Sequence, residues 1–345
     1  MNIVAAGCIF PAGPGISLAS CALRALLPLN TFHPYYVDQT GNRIKVSWFQ
    51  DSATFGIDRW LKLAQGALAD LYAQLPDPLP AALRRGSGAL WLALPEAARP
   101  GVPAQLAESV MASLPKGPLN FGSYRYCHGG HAAAVDLIQG ISQTKPSSTS
   151  FAVVLAVDSW LHPDSLHWLD TQGLLQGAGR AANRKVWRSP YGRIPGEGAA
   201  AVLLSWNDSG WCPILGVGTA SEPILYTDSR PCTGQGLTQA AQQALKGLSS
   251  EQRACRVVVD LNGEPYRADQ FGFTALRISS RLAEGWKQQT PALVTGDVGC
   301  ATALVHIALS AYELAHHKDD LDYGPRLLLS SSDDALRGAV VLGMA

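Results

Sequence analysis

The chain has little net charge and no paired cysteines, and each shortage excludes a class of function. Lys+Arg and Asp+Glu both number 27, so the formal net charge is zero. A balance of that kind argues against a nucleic-acid partner or an anionic membrane surface. It also gives weak protection against self-association. The seven cysteines, at 8, 21, 127, 212, 232, 255 and 300, include no Cys-x-x-Cys pair. In a chain of this size that pattern reads as reduced thiols and not as a disulfide framework or a zinc site. His162 and His167 are poorly spaced to share a metal on one helix face. No apolar run is long enough to span a bilayer. The N-terminus Met1-Asn2-Ile3-Val4-Ala5-Ala6-Gly7-Cys8 lacks a basic segment and reads as a buried strand, not a signal peptide. A soluble cytoplasmic protein without metal or cofactor is the expectation.

The chain does have apolar bulk: 47% of its 345 residues are hydrophobic and 16% charged, enough for a large core. Apolar runs without alternation, such as Phe151 to Val157, Ala199 to Leu204 and Arg326 to Leu329, predict strands covered on both faces. Helical spacing in Trp60, Leu63, Ala64, Ala67, Leu68 and Leu71 predicts a covering helix.

A plan of elements occurs twice. A glycine-led helix (Gly129 to Ile141) precedes the strand Phe151 to Ser159, and Gly196-Glu197-Gly198 then leads into Ala199 to Ser205. Later a glycine-led helix (Gly296 to Leu314) precedes Arg326 to Asp333, and Arg337-Gly338 leads into Ala339 to Leu342. Two stacked α/β halves related by pseudo-symmetry follow, 1–206 and 207–345, joined at the polar cluster Trp206 to Gly210. Leu75 to Pro80 reads as a Pro-rich connector. Gln172 to Tyr191, with Arg180, Arg184, Lys185 and Arg188, reads as an irregular loop, either a solvated face or the rim of an entrance for an anionic group.

Cys127 lies in Tyr126-Cys127-His128-Gly129-Gly130-His131, and the spacing predicts that it opens a helix. A helix N-terminus favours the thiolate, the form an acyl-accepting nucleophile needs. The other reading is a small buried hydrophobe. His131, four residues on, is either a compensating base or a satisfied residue packed under the loop. Gly130, with Gly299 and Gly338 in the second half, are positions where an acyl chain could approach the backbone. His306 reads as structural, Asp297 as a helix cap or an acid–base group, and Glu264 and Asp269 as loop-fixing residues.

These motifs together resemble the β-ketoacyl synthases of the thiolase-like superfamily. Ile3 to Gly13 is similar to their opening strand and loop, and Pro195 to Leu204 to their Gly-Glu-Gly-Ala strand. Cys127 falls where the family's nucleophile opens its helix. Leu261-Asn262-Gly263-Glu264-Pro265 sits in place of the His-Gly-Thr motif, and Thr295-Gly296-Asp297-Val298-Gly299 in place of the Gly-His loop. Ser330 to Asp334 replaces the late Gly-Phe-Gly-Gly loop. The resemblance implies a thiolase-like α/β fold, layered α-β-α-β-α, with a homodimer or a heteromeric partner. It implies acyl transfer from a CoA or carrier-protein thioester to Cys127, and Glu197 as a buried hydrogen-bonder between the halves.

Asn262 and Asp297 thus replace the two histidines that hold the extender carbonyl in elongating ketosynthases. Asn262 can still donate a hydrogen bond, but an ionised Asp297 cannot. Losing one oxyanion donor costs roughly a hundred- to a thousandfold in rate. Decarboxylative condensation is therefore doubtful unless burial keeps Asp297 protonated. The alternatives are a catalytically silent ketosynthase fold that acts as an adaptor or chain-length-factor-like subunit and, ranked last, a thiolase-like reaction using Cys127 with Cys300.

Overall fold

The computed structural model describes residues 1–50, 54, 56–143, 151–182, 185–206, 209–320 and 323–344; for 180–182 and 185–187 it describes the backbone alone. The first half supplies strands β1 (Asn2–Phe10), β2 (Gly88–Leu94), β3 (Phe121–His128), β4 (Phe151–Ser159) and β5 (Glu197–Ser205). The second supplies β6 (Cys212–Ser221), β7 (Ala254–Val259), β8 (Leu282–Gln289), β9 (Arg326–Ser331) and β10 (Leu336–Leu342). Their spatial order is β8-β7-β9-β10-β6-β1-β5-β4-β2-β3. Within each half the order is third, second, fourth, fifth, first. The senses repeat as well: β2 is parallel to β3 and β4, and β5 is antiparallel to β4 and β1. Likewise β7 is parallel to β8 and β9, and β10 is antiparallel to β9 and β6. The halves meet where Ile3 of β1 lies opposite Cys212 of β6.

The helices follow the same plan. They are α1 (Gly56–Ala73), α2 (Leu106–Ser113), α3 (Ala133–Gln143), α4 (Gln235–Leu245), α5 (Pro265–Arg277) and α6 (Thr302–His316). Apolar on nearly every side, α6 buries Leu304, Val305, Ile307, Ala308 and Leu309, as a helix enclosed by protein must. With α3 it forms the middle layer, sharing one core with Val154 and Val202 from the first half and Leu328 and Val340 from the second. On the outer face of the first half Trp60, Leu63, Leu68 and Leu71 of α1 pack on Leu90, Val153 and Leu155. Leu237, Ala241 and Ala244 of α4 cover Val257 and Leu327 in the second. The layering is α-β-α-β-α. Gly338 takes part in this packing: a Cβ there would lie 2.8 Å from Cβ of Val135 on α3.

Three expectations are corrected. The glycine-led helices begin later than their glycines. Gly130 (φ 61°) and Gly299 (φ 55°) have left-handed backbones that no α-helix accepts, and each starts a single 3₁₀ turn (Gly130–Ala132, Gly299–Ala301) before α3 or α6. The segment 172–191 is not wholly irregular, because Gly179–Ala182 pairs with Lys185–Arg188 as a small hairpin; Arg184 and the side chains of Arg180 and Lys185 lie outside the described residues. Asp269 is an exposed residue of α5 and fixes no loop. Leu75 to Pro80 links α1 to a short helix, Ala81–Arg85. The boundary at 206/207 is put forward as a proposal, and 207–208 of the join lie outside the described residues. Among the described residues no helix is long and apolar enough to cross a membrane.

Candidate active site

Cys127 does not open a helix. It is the last residue but one of β3, opposite Ala93 of β2, and the turn at Gly129–Gly130 separates it from α3. Its sulfur packs against the central core, 3.9 Å from the Ala133 carbonyl oxygen. Burial pushes the thiol up to about 12, with the negative charge of Asp136 adding to the effect. The shift runs against nucleophilic use. His131 consequently does not share a helix face with Cys127.

The residue at the start of the turn is Gly130. Its missing side chain points at Glu96, whose Oε1 a Cβ would strike, and at Ser332 Oγ, 3.3 Å away. Burial raises the Glu96 carboxyl above its usual range, helped by Asp333. A positive φ and a filled approach act together here. Gly130→Ala is therefore expected to lower folding stability by roughly 2–4 kcal/mol, and Glu96→Ala in the same chain to recover part of it. Thermal unfolding checks this, and an unchanged Tm for Gly130→Ala would mean the space is open.

Behind Gly130 the chain gathers a buried ionic network. His131 Nε2 meets Asp297 Oδ1 at 2.8 Å, and Asn262 Nδ2 donates to Asp297 Oδ2 at 2.7 Å. Arg193 lies 3.4 Å from Asp297 and donates to Glu264 at 2.7 Å and to Asp333 at 3.1 Å. Arg267 donates to Glu264 (3.0 Å), Asp260 (2.9 Å) and Asp333 (2.7 Å). Three cations thus face four carboxylates. Desolvation alone would raise the Asp297 carboxyl, but His131 and Arg193 outweigh it and hold the group well below the usual range. Asp297 is ionised, so burial does not make it a hydrogen-bond donor. Desolvation pulls the His131 imidazole down and Asp297 more than compensates, so the ring's pKa is raised. His131 is thus the buried polar partner of Asp297.

Three backbone donors around the turn are already engaged. Ala132 N–H donates to Ser332 Oγ (3.0 Å), Gly299 N–H to Asp297 Oδ1 (2.8 Å) and Cys300 N–H to Asp158 Oδ2 (2.7 Å). Asp297 does not cap α6, which Ala301 precedes; its Oδ1 accepts from the first residue of the 3₁₀ turn ahead of that helix. Gly299 offers no approach for an acyl chain, since a Cβ there would collide with Asp158, which Arg99 pairs. An open cavity of about 220 Å³ beside the network is lined by Glu96, Arg99, Trp160, Tyr226, Asp333 and Asp334. None of Cys127, His131, Asn262 and Asp297 lines it. Cys300 is buried with its thiol raised by desolvation first and Asp158 second, which leaves no activated thiol pair with Cys127. Among the described residues no group of three or more His, Cys, Asp or Glu is placed to hold a metal ion.

Asn262, Asp297 and His131 are therefore brought together, and Cys127 is set apart. Glu197 is buried as expected, yet its partners Phe49 N–H (2.8 Å), Arg59 (2.6 Å) and Ser159 (3.2 Å) all belong to the first half. It does not bridge the halves. The sequence reading missed Glu96, Arg193, Arg267 and Asp333. A faint signal existed for one, since Glu264 and Arg267 are three apart at the start of α5.

No protein-family model matches the chain, and no curated protein matches its sequence. Solved structures do. A ketosynthase from module 6 of the bacillaene synthase of Bacillus subtilis 168 superposes with a TM-score of 0.75 at 12% identity, over 100% of this chain and 72% of that one. A type II polyketide ketosynthase complex with its acyl-carrier protein, bound to the hexaketide, gives 0.75 at 13% identity, covering 99% and 98%. The complex of a ketosynthase with its chain length factor from Xenorhabdus doucetiae gives 0.71 at 14% identity, covering 99% and 97%. With its duplicated sheet order and paired central helices, this chain has the thiolase-like fold of the ketosynthases.

Proposed function

We propose that the protein is a non-condensing ketosynthase-fold subunit that works by pairing with another chain of the same fold. One observation carries this reading: the turn that would present a nucleophile holds Gly130 against Glu96, and the space behind it is filled by paired side chains. Acyl transfer to Cys127 would need a thiol freed from the core and lowered from about 12.

The sheet offers a place for such pairing. Among the described residues neither outer strand, β8 or β3, has a partner on its far edge. β8 carries Glu284 and Lys287, the charges that natural edges use to prevent strand addition. β3 presents Tyr124 and Tyr126, 49% and 48% exposed, beside the turn at Gly130. The complexes of ketosynthases with chain length factors and carrier protein among its structural neighbours supply the kind of partner. A homodimer through the same edge is the self-paired form of this arrangement.

Incubating the full chain with acyl-CoA and with acyl carrier protein, then weighing the Cys127 peptide, is expected to give no adduct. Cys127→Ala should leave folding and assembly unchanged. Pull-down from the native cell extract should retain a ketosynthase-fold chain, and Tyr126→Lys should release it. A thioester on Cys127 would overturn the reading.

A further inference from the structure

A second concave site lies away from the buried network, between two small hairpins. Strand Thr31–Val37 pairs with Arg43–Val46, and the hairpin of Gly179–Ala182 with Lys185–Arg188 stands beside it. Between them is a cavity of about 370 Å³ lined by Phe32, Arg43, Lys45, Gln176, Arg188 and Ser189, among others. Strand alternation turns Ile44 into the interior and leaves Arg43 and Lys45 on the same outer face. Phe32 lies directly across from Lys45 and is 57% exposed. Arg188 arrives from the second hairpin, opposite Gly179.

Two features separate this place from an ordinary solvated face. Among the described residues no carboxylate lines the cavity, and Arg43, Lys45 and Arg188 make no ion pair. The nearby acid, Asp38, is occupied: its oxygens accept the N–H groups of Thr40 (2.9 Å), Asn42 (3.0 Å) and Gly179 (2.7 Å). That last bond ties the hairpins to each other and sets the three cations around one opening. Three converging cations without a counter-ion call for a ligand of concentrated negative charge. Guanidinium forks match phosphate oxygens in geometry as well as in charge. The exposed Phe32 ring supplies a face for an aromatic group, and Gln176 and Ser189 supply neutral hydrogen-bonding partners. The volume is in the range that holds one small molecule.

We infer that this cavity binds a phosphorylated aromatic ligand of nucleotide size, its phosphate held by Arg43, Lys45 and Arg188 and its ring against Phe32. Calorimetric titration of the full chain with ADP, inorganic phosphate and adenosine tests it. ADP should bind saturably, phosphate should compete, and adenosine alone should not bind. Binding of ADP should weaken as salt rises. Arg43→Gln and Arg188→Gln should each weaken ADP at least tenfold with the Tm unchanged. Phe32→Ala should weaken ADP and leave phosphate as it was. Absence of saturable ADP binding at millimolar concentration, or full affinity in both arginine variants, would overturn the assignment.

Discussion

Asp297→Ala is expected to destabilise the fold by about 3–5 kcal/mol, the cost of leaving buried charges without their partner. Asp297 neutralises His131, supports Arg193, accepts from Asn262 and holds the N–H of Gly299. Its removal leaves the buried His131 ring without its partner, while Arg193 keeps Glu264 and Asp333. The pH dependence has a definite sign. The His131 pKa is raised in the fold, so its contribution is complete below the unfolded value of about 6.5 and is lost as pH rises through the folded value. The Asp297 pKa is depressed, so its contribution is present above the unfolded value of about 3.9 and is lost as pH falls through the folded one. The pair is therefore worth most between those limits, and the gap between wild type and Asp297→Ala should be widest near pH 5 and narrow toward pH 9. Urea unfolding at the two values checks this. Equal stability of the two proteins at pH 5 would mean that the network contributes nothing.

The network was the part of the molecule least legible in the sequence, and the reason is topological. Arg193, Glu264, Arg267 and Asp333 are ordinary charges in the chain, with no local pattern to set them apart from solvated ones. They become a site because the segment leading into β5 and the segments that follow β7 and β9 bring these side chains into contact. The strands were legible for the opposite reason. Covered on both faces, β4 buries every residue from Phe151 to Ser159, so its apolar run marks it without reference to anything distant. Cys127 was misplaced because β3 is an edge strand. Gly122, Ser123, Tyr124, Arg125 and Tyr126 are exposed, which erased the apolar signature and let Gly129-Gly130 pass for a helix start. The duplicated order of elements survived that error, since it depends on which strands pair and not on where each one ends.

His306 should make the protein labile to mild acid, and His306→Leu should remove much of that lability. The ring sits mid-way along α6 in the central layer, 2% exposed, and among the described residues neither of its nitrogens has a hydrogen-bond partner. Burial first and the positive charge of His131 second lower its pKa to about 3, against the opposing pull of Asp297. Here the unfolded chain binds a proton that the fold refuses, so stability is complete above about 6.5 and declines as pH falls toward the folded value. At about 1.4 kcal/mol per pH unit, that depression amounts to roughly 4–5 kcal/mol by the lower end of the range. Asp297 and Asp333 also lose their contributions in acid, so the diagnostic quantity is the difference between variant and wild type. At pH 7 the two should be close, or the variant slightly more stable, because a leucine leaves no buried nitrogen unpaired. By pH 4 the variant should be the more stable by several kcal/mol, measured as the free energy of urea unfolding. Parallel curves for the two proteins from pH 7 to pH 4 would show that His306 is protonated in the fold or reaches a partner, and that the middle layer tolerates charge.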